Sequence, residues 1–197
     1  MSGISIPAAP ARRRTRPAWA PMLLIGAAVV PLLLTATAAT IDPGLARPGG
    51  SHFLASGVVM CLVDLAVAIG FTALALQAPA RPTVLRWLGG ALLVAGSFGT
   101  VPAEALLRVD FDLGNAVFGV VGPAQALGLV LFGIAVVVAR QWTSWRRFAP
   151  LALGLYVPFV MMPLLIASQG LSLGALAGYH AFVLAIGIAY LRESTGA

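Results

Sequence analysis

Long apolar runs separated by short polar breaks organise the whole chain. From Trp19 to Thr40 the sequence is almost wholly apolar, and five more runs cover approximately 52–77, 84–107, 113–139, 148–168 and 172–191. Each is close to the roughly 20 residues an α-helix needs to cross a hydrocarbon core about 30 Å thick. The breaks fall at Arg81-Pro82 with Arg86, at Arg108 to Asp112, at Arg140 to Arg147 and at Gln169 to Ser172. The pattern predicts an all-α, polytopic membrane bundle of six transmembrane helices. A disordered basic arm over residues 1–17 precedes it, the transmembrane domain occupies 18–192, and a short tail covers 193–197.

The arginines give an orientation. With the N-terminus inside, Arg12, Arg13, Arg14, Arg16, Arg81, Arg86, Arg140, Arg146, Arg147 and Arg192 are all cytoplasmic, and only Arg47 and Arg108 lie outside. Short loops rich in arginine stay on the cytoplasmic side, so both termini are expected there. Trp19, Trp87, Trp142 and Trp145 fall at the same boundary, where amphipathic rings anchor a helix. Ala36-Thr37-Ala38 also fits the cleavage site of a secretory signal. The apolar run before it exceeds the usual core of about 7 to 15 residues, so it is expected to remain as the first helix.

Composition agrees with a bilayer. Hydrophobic residues make up 60% of the chain and charged ones 9%, with a mean hydropathy of +0.98. A net charge of +6 would suggest nucleic acid in a soluble domain, but here the arginines punctuate apolar runs and topology accounts for them. All 12 basic residues are arginine, a bias that points to a high-GC bacterial genome and hence to the bacterial cell membrane, multi-pass. The single cysteine, Cys61, excludes an intrachain disulfide and a thiolate metal cluster.

Against this background the polar residues inside the runs carry the candidate chemistry. Asp64 sits near the centre of the second run with no basic residue near it in sequence. An acid placed there costs about 2.5 to 3.5 kcal/mol on insertion scales, which marks it as a functional-site candidate. Gly57, Cys61, Asp64 and Ala68 are spaced to share one helix face of small residues, and Asn115, Gly119, Gly122 and Gln125 repeat the device in the fourth run. Gly96, Thr100 and Glu104 recur every four residues in the third, and Gly170, Gly174 and Gly178 form a ridge in the last. At about 1.5 Å per residue, Asp64 and Gln125 both lie about 18 Å in from the outer ends of their helices, Tyr156 reaches a similar level, and His180 lies about 12 Å deep. The expected ligand-binding set is therefore Asp64, Gln125, Tyr156, His180, Thr100 and Asn115, around a pocket open to the outer side.

For catalysis the candidates are Asp64, Glu104 and His180. A plainer role exists for each: Asp64 as a hydrogen-bonded tie to Gln125, Tyr156 or His180, Glu104 as the ion-pair partner of Arg108 four residues on, and His180 as an interhelical hydrogen-bonder. No HxxxH, HExxH or ExxH spacing supports a metal, no GxSxG marks a nucleophile, and Met161-Met162 between two prolines reads as pliable core. No cofactor is expected.

The second half carries an apolar LVLFGIAVVVAR run, a Trp/Arg-rich inner loop in WTSWRRFAPLALGL and a glycine-rich last helix. In this it resembles the small six-helix integral membrane proteins of unknown function common in actinobacteria. The resemblance implies the six-helix architecture and carries no function with it.

The reading that follows is binding or transport of a hydrophobic or cationic small molecule, with Asp64 as the charge-selective or proton-linked residue. An intramembrane enzyme acting on a lipid or isoprenoid is the alternative, with Asp64 or Glu104 as a general acid of the terpene-cyclase kind. A third reading is an assembly subunit whose glycine faces bind another membrane protein or a second copy. The expected partners are the lipid bilayer and a hydrophobic small molecule or lipid, with no nucleic acid.

Overall fold

Six helices long and apolar enough to cross a membrane emerge from the six runs. The computed structural model describes residues 18–42, 50, 52–77, 84–140, 142–168 and 172–195. The helices are α1 (Trp19–Thr40), α2 (Phe53–Gln77), α3 (Val84–Val109), α4 (Phe111–Ala139), α5 (Ser144–Ala167) and α6 (Leu173–Thr195). The basic arm over 1–17, Arg47, the Arg81-Pro82 break, Gln169 and Gly170 lie outside the described residues.

Three boundaries differ from the sequence reading, one of them the break expected from Arg140 to Arg147, which is shortened because Ser144–Phe148 form a 3-10 turn that opens α5. The polar stretch from Arg108 to Asp112 narrows to one residue between helices, because the Asp110 carboxylate accepts a hydrogen bond from the Leu113 N–H (3.0 Å) and caps α4 at once. Residues 193–195, expected as tail, continue α6 instead. There Glu193 Oε1 accepts from the Thr143 N–H (3.0 Å), the Thr143 hydroxyl (3.1 Å) and Arg146 Nη1 (3.2 Å), which binds the last turn of α6 to the start of α5.

In space the helices form a ring in chain order, each packed on the next, and α6 closes it against α1. Glycines set the closest crossings, since small residues let backbones approach where no hydrophobic force drives helices together. A Cβ on Gly96 of α3 would lie 2.5 Å from the Gln125 backbone nitrogen of α4, and one on Gly133 of α4 would lie 2.6 Å from Leu151 N of α5. Only hydrogen fits at either place.

The two ends of the ring differ. One end gathers Arg86, Arg146 and Arg147 with the exposed rings of Trp87 and Trp145, and is called the basic end here. Its half of the bundle is solid: Leu24, Phe71, Leu74, Leu129, Phe132, Leu153 and Ile186 are fully buried. Trp142 stacks on Tyr190 at 6.5 Å, and the Tyr190 hydroxyl donates to Gln77 Oε1 (2.5 Å), joining α6 to the end of α2. Replacing Tyr190 with Phe is expected to lower unfolding free energy in detergent by about 1 kcal/mol, the usual net worth of one such bond. A circular-dichroism melt against the wild type measures it.

The opposite half is hollow. α5 is built to make it so, for it runs from a 3-10 turn (Ser144–Phe148) into α-helix (Ala149–Tyr156), widens to a π-turn (Val157–Met161) and resumes as α-helix (Met162–Ala167). Pro158 and Pro163 lack the N–H groups that regular pairing needs, and a π-turn absorbs that mismatch. Beyond the π-turn no residue of Met162–Ala167 is buried.

Candidate functional site

All six helices line the hollow half, which encloses a cavity of about 240 Å³. α1 contributes Pro31 and Thr35, α2 Phe53 and Met60, α4 Phe111 and Phe118, α5 Val157 and Met161, and α6 Leu173 and Leu176, so the wall is mainly apolar and partly aromatic. Into this surface project Asp64, Thr100, Glu104, Arg108, Asn115, Gln125, Tyr179 and His180. An apolar cavity with a few convergent polar groups is the usual form of a small-molecule site.

Most of these polar groups are already satisfied by one another. The Tyr179 hydroxyl donates to Gln125 Oε1 (3.3 Å), Gln125 Nε2 donates to Ser97 Oγ (2.9 Å), and Ser97 Oγ donates to the Leu93 carbonyl (2.6 Å). This chain ties α6 to α4 and α4 to α3 across the floor of the cavity, and the burial of Gln125 and Ser97 gives each bond weight. Thr100 Oγ1 donates to the Ser97 carbonyl (2.7 Å), closing its own hydrogen-bond need within α3. Glu104, although 6% exposed, is paired: Arg108 donates to its Oε1 through both Nε (3.1 Å) and Nη2.

Asp64 is different. Among the described residues it makes no hydrogen bond and no ion pair, and its side chain lies half-buried on the cavity wall. His180 is 3% exposed, its ring stands edge-on to Tyr179 at 5.1 Å, and its buried Nδ1 has no hydrogen-bond partner among the described residues. The plainer role for Asp64, a tie from helix 2 to Gln125, Tyr156 or His180, is not the arrangement found. Gln125 spends its amide on Ser97 and Tyr179 instead.

Of the six expected ligand-binding residues, the structure brings Asp64, Gln125, His180, Thr100 and Asn115 together on one cavity, and adds Glu104. Tyr156 is placed elsewhere. Its hydroxyl donates to the Ala175 carbonyl (3.0 Å) and its ring packs on Phe182 at 5.1 Å, so it fastens α5 to α6 outside the lining. Depth along a helix was readable from residue count, but the direction of the side chain around α5 depends on the irregular turns before it. Tyr179 takes the inward position. The spacing of Leu173, Leu176 and His180, with Tyr179 on the same face, was the signal that could have found it.

The small-residue faces also divide. Gly57 and Cys61 lie against α3, with Gly57 beside the Arg108 side chain and Cys61 Sγ 3.9 Å from the Val101 carbonyl. Asp64 faces the cavity in company with Phe53, Ser56 and Met60. On α4, Gly122 and Gln125 line the cavity, whereas a Cβ on Gly119 would meet nothing. Gly174 of α6 is equally open, and Gly178 abuts the Tyr156 hydroxyl. Outside the lining, His52 at the mouth end meets Asp42, with Nδ1 to Oδ2 at 2.7 Å.

Six apolar membrane-length helices around a part-polar cavity make this chain a polytopic membrane protein. No family model, curated protein or solved structure matches it.

Proposed function

We propose that the protein binds, or carries, a hydrophobic cation in this cavity, with Asp64 as the counter-charge. The observation that carries the reading is the Asp64 carboxyl, without a hydrogen bond or ion pair among the described residues, in a mainly apolar chamber whose second acid, Glu104, is already paired with Arg108. Phe111 and Phe118 supply aromatic rings of the kind that attract cations. With the arginine-rich end in the cytoplasm, as the loop charges favour, the cavity opens toward the outer side of a bacterial cell membrane.

Benzyltrimethylammonium and neopentylbenzene make a direct test, because they differ in shape by little more than exchange of the charged nitrogen for carbon. The wild-type protein in lipid nanodiscs is expected to bind the cation at least about tenfold more tightly, the equivalent of one modest charge interaction. Titration calorimetry for the cation, with the neutral compound as competitor, measures the ratio. Equal affinity for the two would overturn the reading.

One observation favours acid catalysis on an isoprenoid as the second reading. A lone carboxyl facing aromatic and aliphatic walls is what protonation of an alkene requires, and the Arg108 ion pair leaves Asp64 rather than Glu104 for that task. Incubation with prenyl substrates and analysis of extracted lipids separates the readings. Turnover that Asp64→Asn abolishes supports catalysis, and its absence leaves binding.

A further inference from the structure

Two acids and one arginine share the cavity wall, and the arginine is held by three features at once. Its Nε and Nη2 both donate to Glu104 Oε1, its guanidinium carbon lies 4.1 Å from the centre of the Phe53 ring, and its stem crosses Gly57, where a Cβ would come within 2.6 Å of Nε. Glycine at position 57 is what allows this path.

Asp64 lies seven residues along α2 from Gly57, or about 10 Å at the helical rise. Arg108, Glu104 and Asp64 line the same cavity, and an arginine side chain is long and flexible enough to turn from one neighbour on that wall toward another. A single cation can therefore serve either acid. In the structure Glu104 has it.

We infer that Glu104 is a positioning residue that keeps Arg108 away from Asp64, and so keeps the Asp64 carboxylate available to a monovalent cationic ligand. This rests on the proposed cation-binding reading. The charge count supports the ligand class: with both acids ionised the wall carries two negative charges against one positive, and one ligand charge restores balance. A low-dielectric chamber makes such balance matter, since an uncompensated buried charge is costly. Removing Glu104 frees Arg108 to supply the missing charge from within the chain.

The test is a rescue in nanodiscs with benzyltrimethylammonium as probe. Glu104→Gln is expected to weaken its binding at least about tenfold while leaving neopentylbenzene unchanged, because the freed guanidinium competes for Asp64. The double variant Glu104→Gln with Arg108→Gln is expected to return to within about threefold of the wild type, since Asp64 is again alone. A merely structural role for the ion pair predicts the opposite, with the double variant no better than the single one.

Arg108→Gln by itself provides a check that does not need a folded Glu104 variant. It is expected to bind the cation at least as tightly as the wild type, because Glu104 and Asp64 then both face the cavity unneutralised. Unchanged binding in Glu104→Gln, an unrescued double variant, or weaker binding in Arg108→Gln each overturns the inference and leaves the cation-binding reading standing. A wild-type protein that binds the cation no better than its neutral isostere removes that reading, and this inference with it.

Discussion

Asparagine in place of Asp64 is expected to weaken benzyltrimethylammonium binding by about 30- to 100-fold while changing neopentylbenzene affinity by less than about threefold. The substitution keeps size and shape and removes only the charge. A cation about 5 Å from a carboxylate in surroundings of intermediate dielectric gains about 3 kcal/mol, and desolvation of both partners returns part of it, leaving about 2 to 3 kcal/mol. Loss confined to the cation assigns the effect to charge. Equal loss for both ligands would assign it to a changed cavity and remove Asp64 from the centre of the site.

The same variant has a second expected readout. An acid in a membrane span is expensive, and among the described residues Asp64 recovers none of that cost through a hydrogen bond or ion pair. The amide is cheaper to place there, so Asp64→Asn is expected to melt at the same temperature as the wild type or above it. A residue that weakens the fold yet faces a cavity is one whose presence needs a ligand to explain it. A lower melting temperature would mean that the carboxylate has structural partners.

Leucine at Gly96 is the other large effect. The crossing of α3 and α4 leaves no room there, since a Cβ would lie 2.5 Å from Gln125 N and 2.7 Å from Gln125 Cα, both backbone atoms that move only if a whole helix moves. Separating the helices also pulls Gln125 Nε2 from Ser97 Oγ and disturbs the chain from Tyr179 that closes the cavity floor. The expected cost is about 3 kcal/mol or more, seen as a lower melting temperature in detergent and a fall in cation affinity together. Gly174→Ala supplies the control. A Cβ there meets nothing, so stability is expected to stay within about 0.5 kcal/mol of the wild type. Similar behaviour of the two variants would contradict the close crossing at Gly96.

These results depend on unequal shares of sequence and tertiary structure. The six spans were legible because length and hydropathy alone decide whether a helix can cross a bilayer, and all six boundaries at the ends of α1, α2 and α3 came within two residues with no knowledge of neighbours. The correction at Asp110 came from a side-chain cap, which acts locally but competes with the breaking effect of a charged stretch. The extension of α6 to Thr195 came from Glu193 meeting Thr143 and Arg146, a contact between residues some 50 positions apart that no local pattern encodes.

The site divides along the same line. Depth along a straight helix follows from counting residues, so Asp64, Gln125 and His180 could be placed at neighbouring levels before any fold was known. Rotation around the axis cannot be counted through the π-turn of α5, and there Tyr156 turned to Ala175 while Tyr179 of α6 took the inward place. Spacing did point to Glu104 as the partner of Arg108, four residues on, but that Asp64 would then be left alone depends on every neighbour that might have bonded it. By itself, the sequence determined that this is a six-helix membrane protein with an acid in its second span, because transfer from water to lipid is a property of segments. Only the tertiary structure decided that this acid faces a shared cavity without a partner among the described residues, because partnership depends on how six helices turn toward one another.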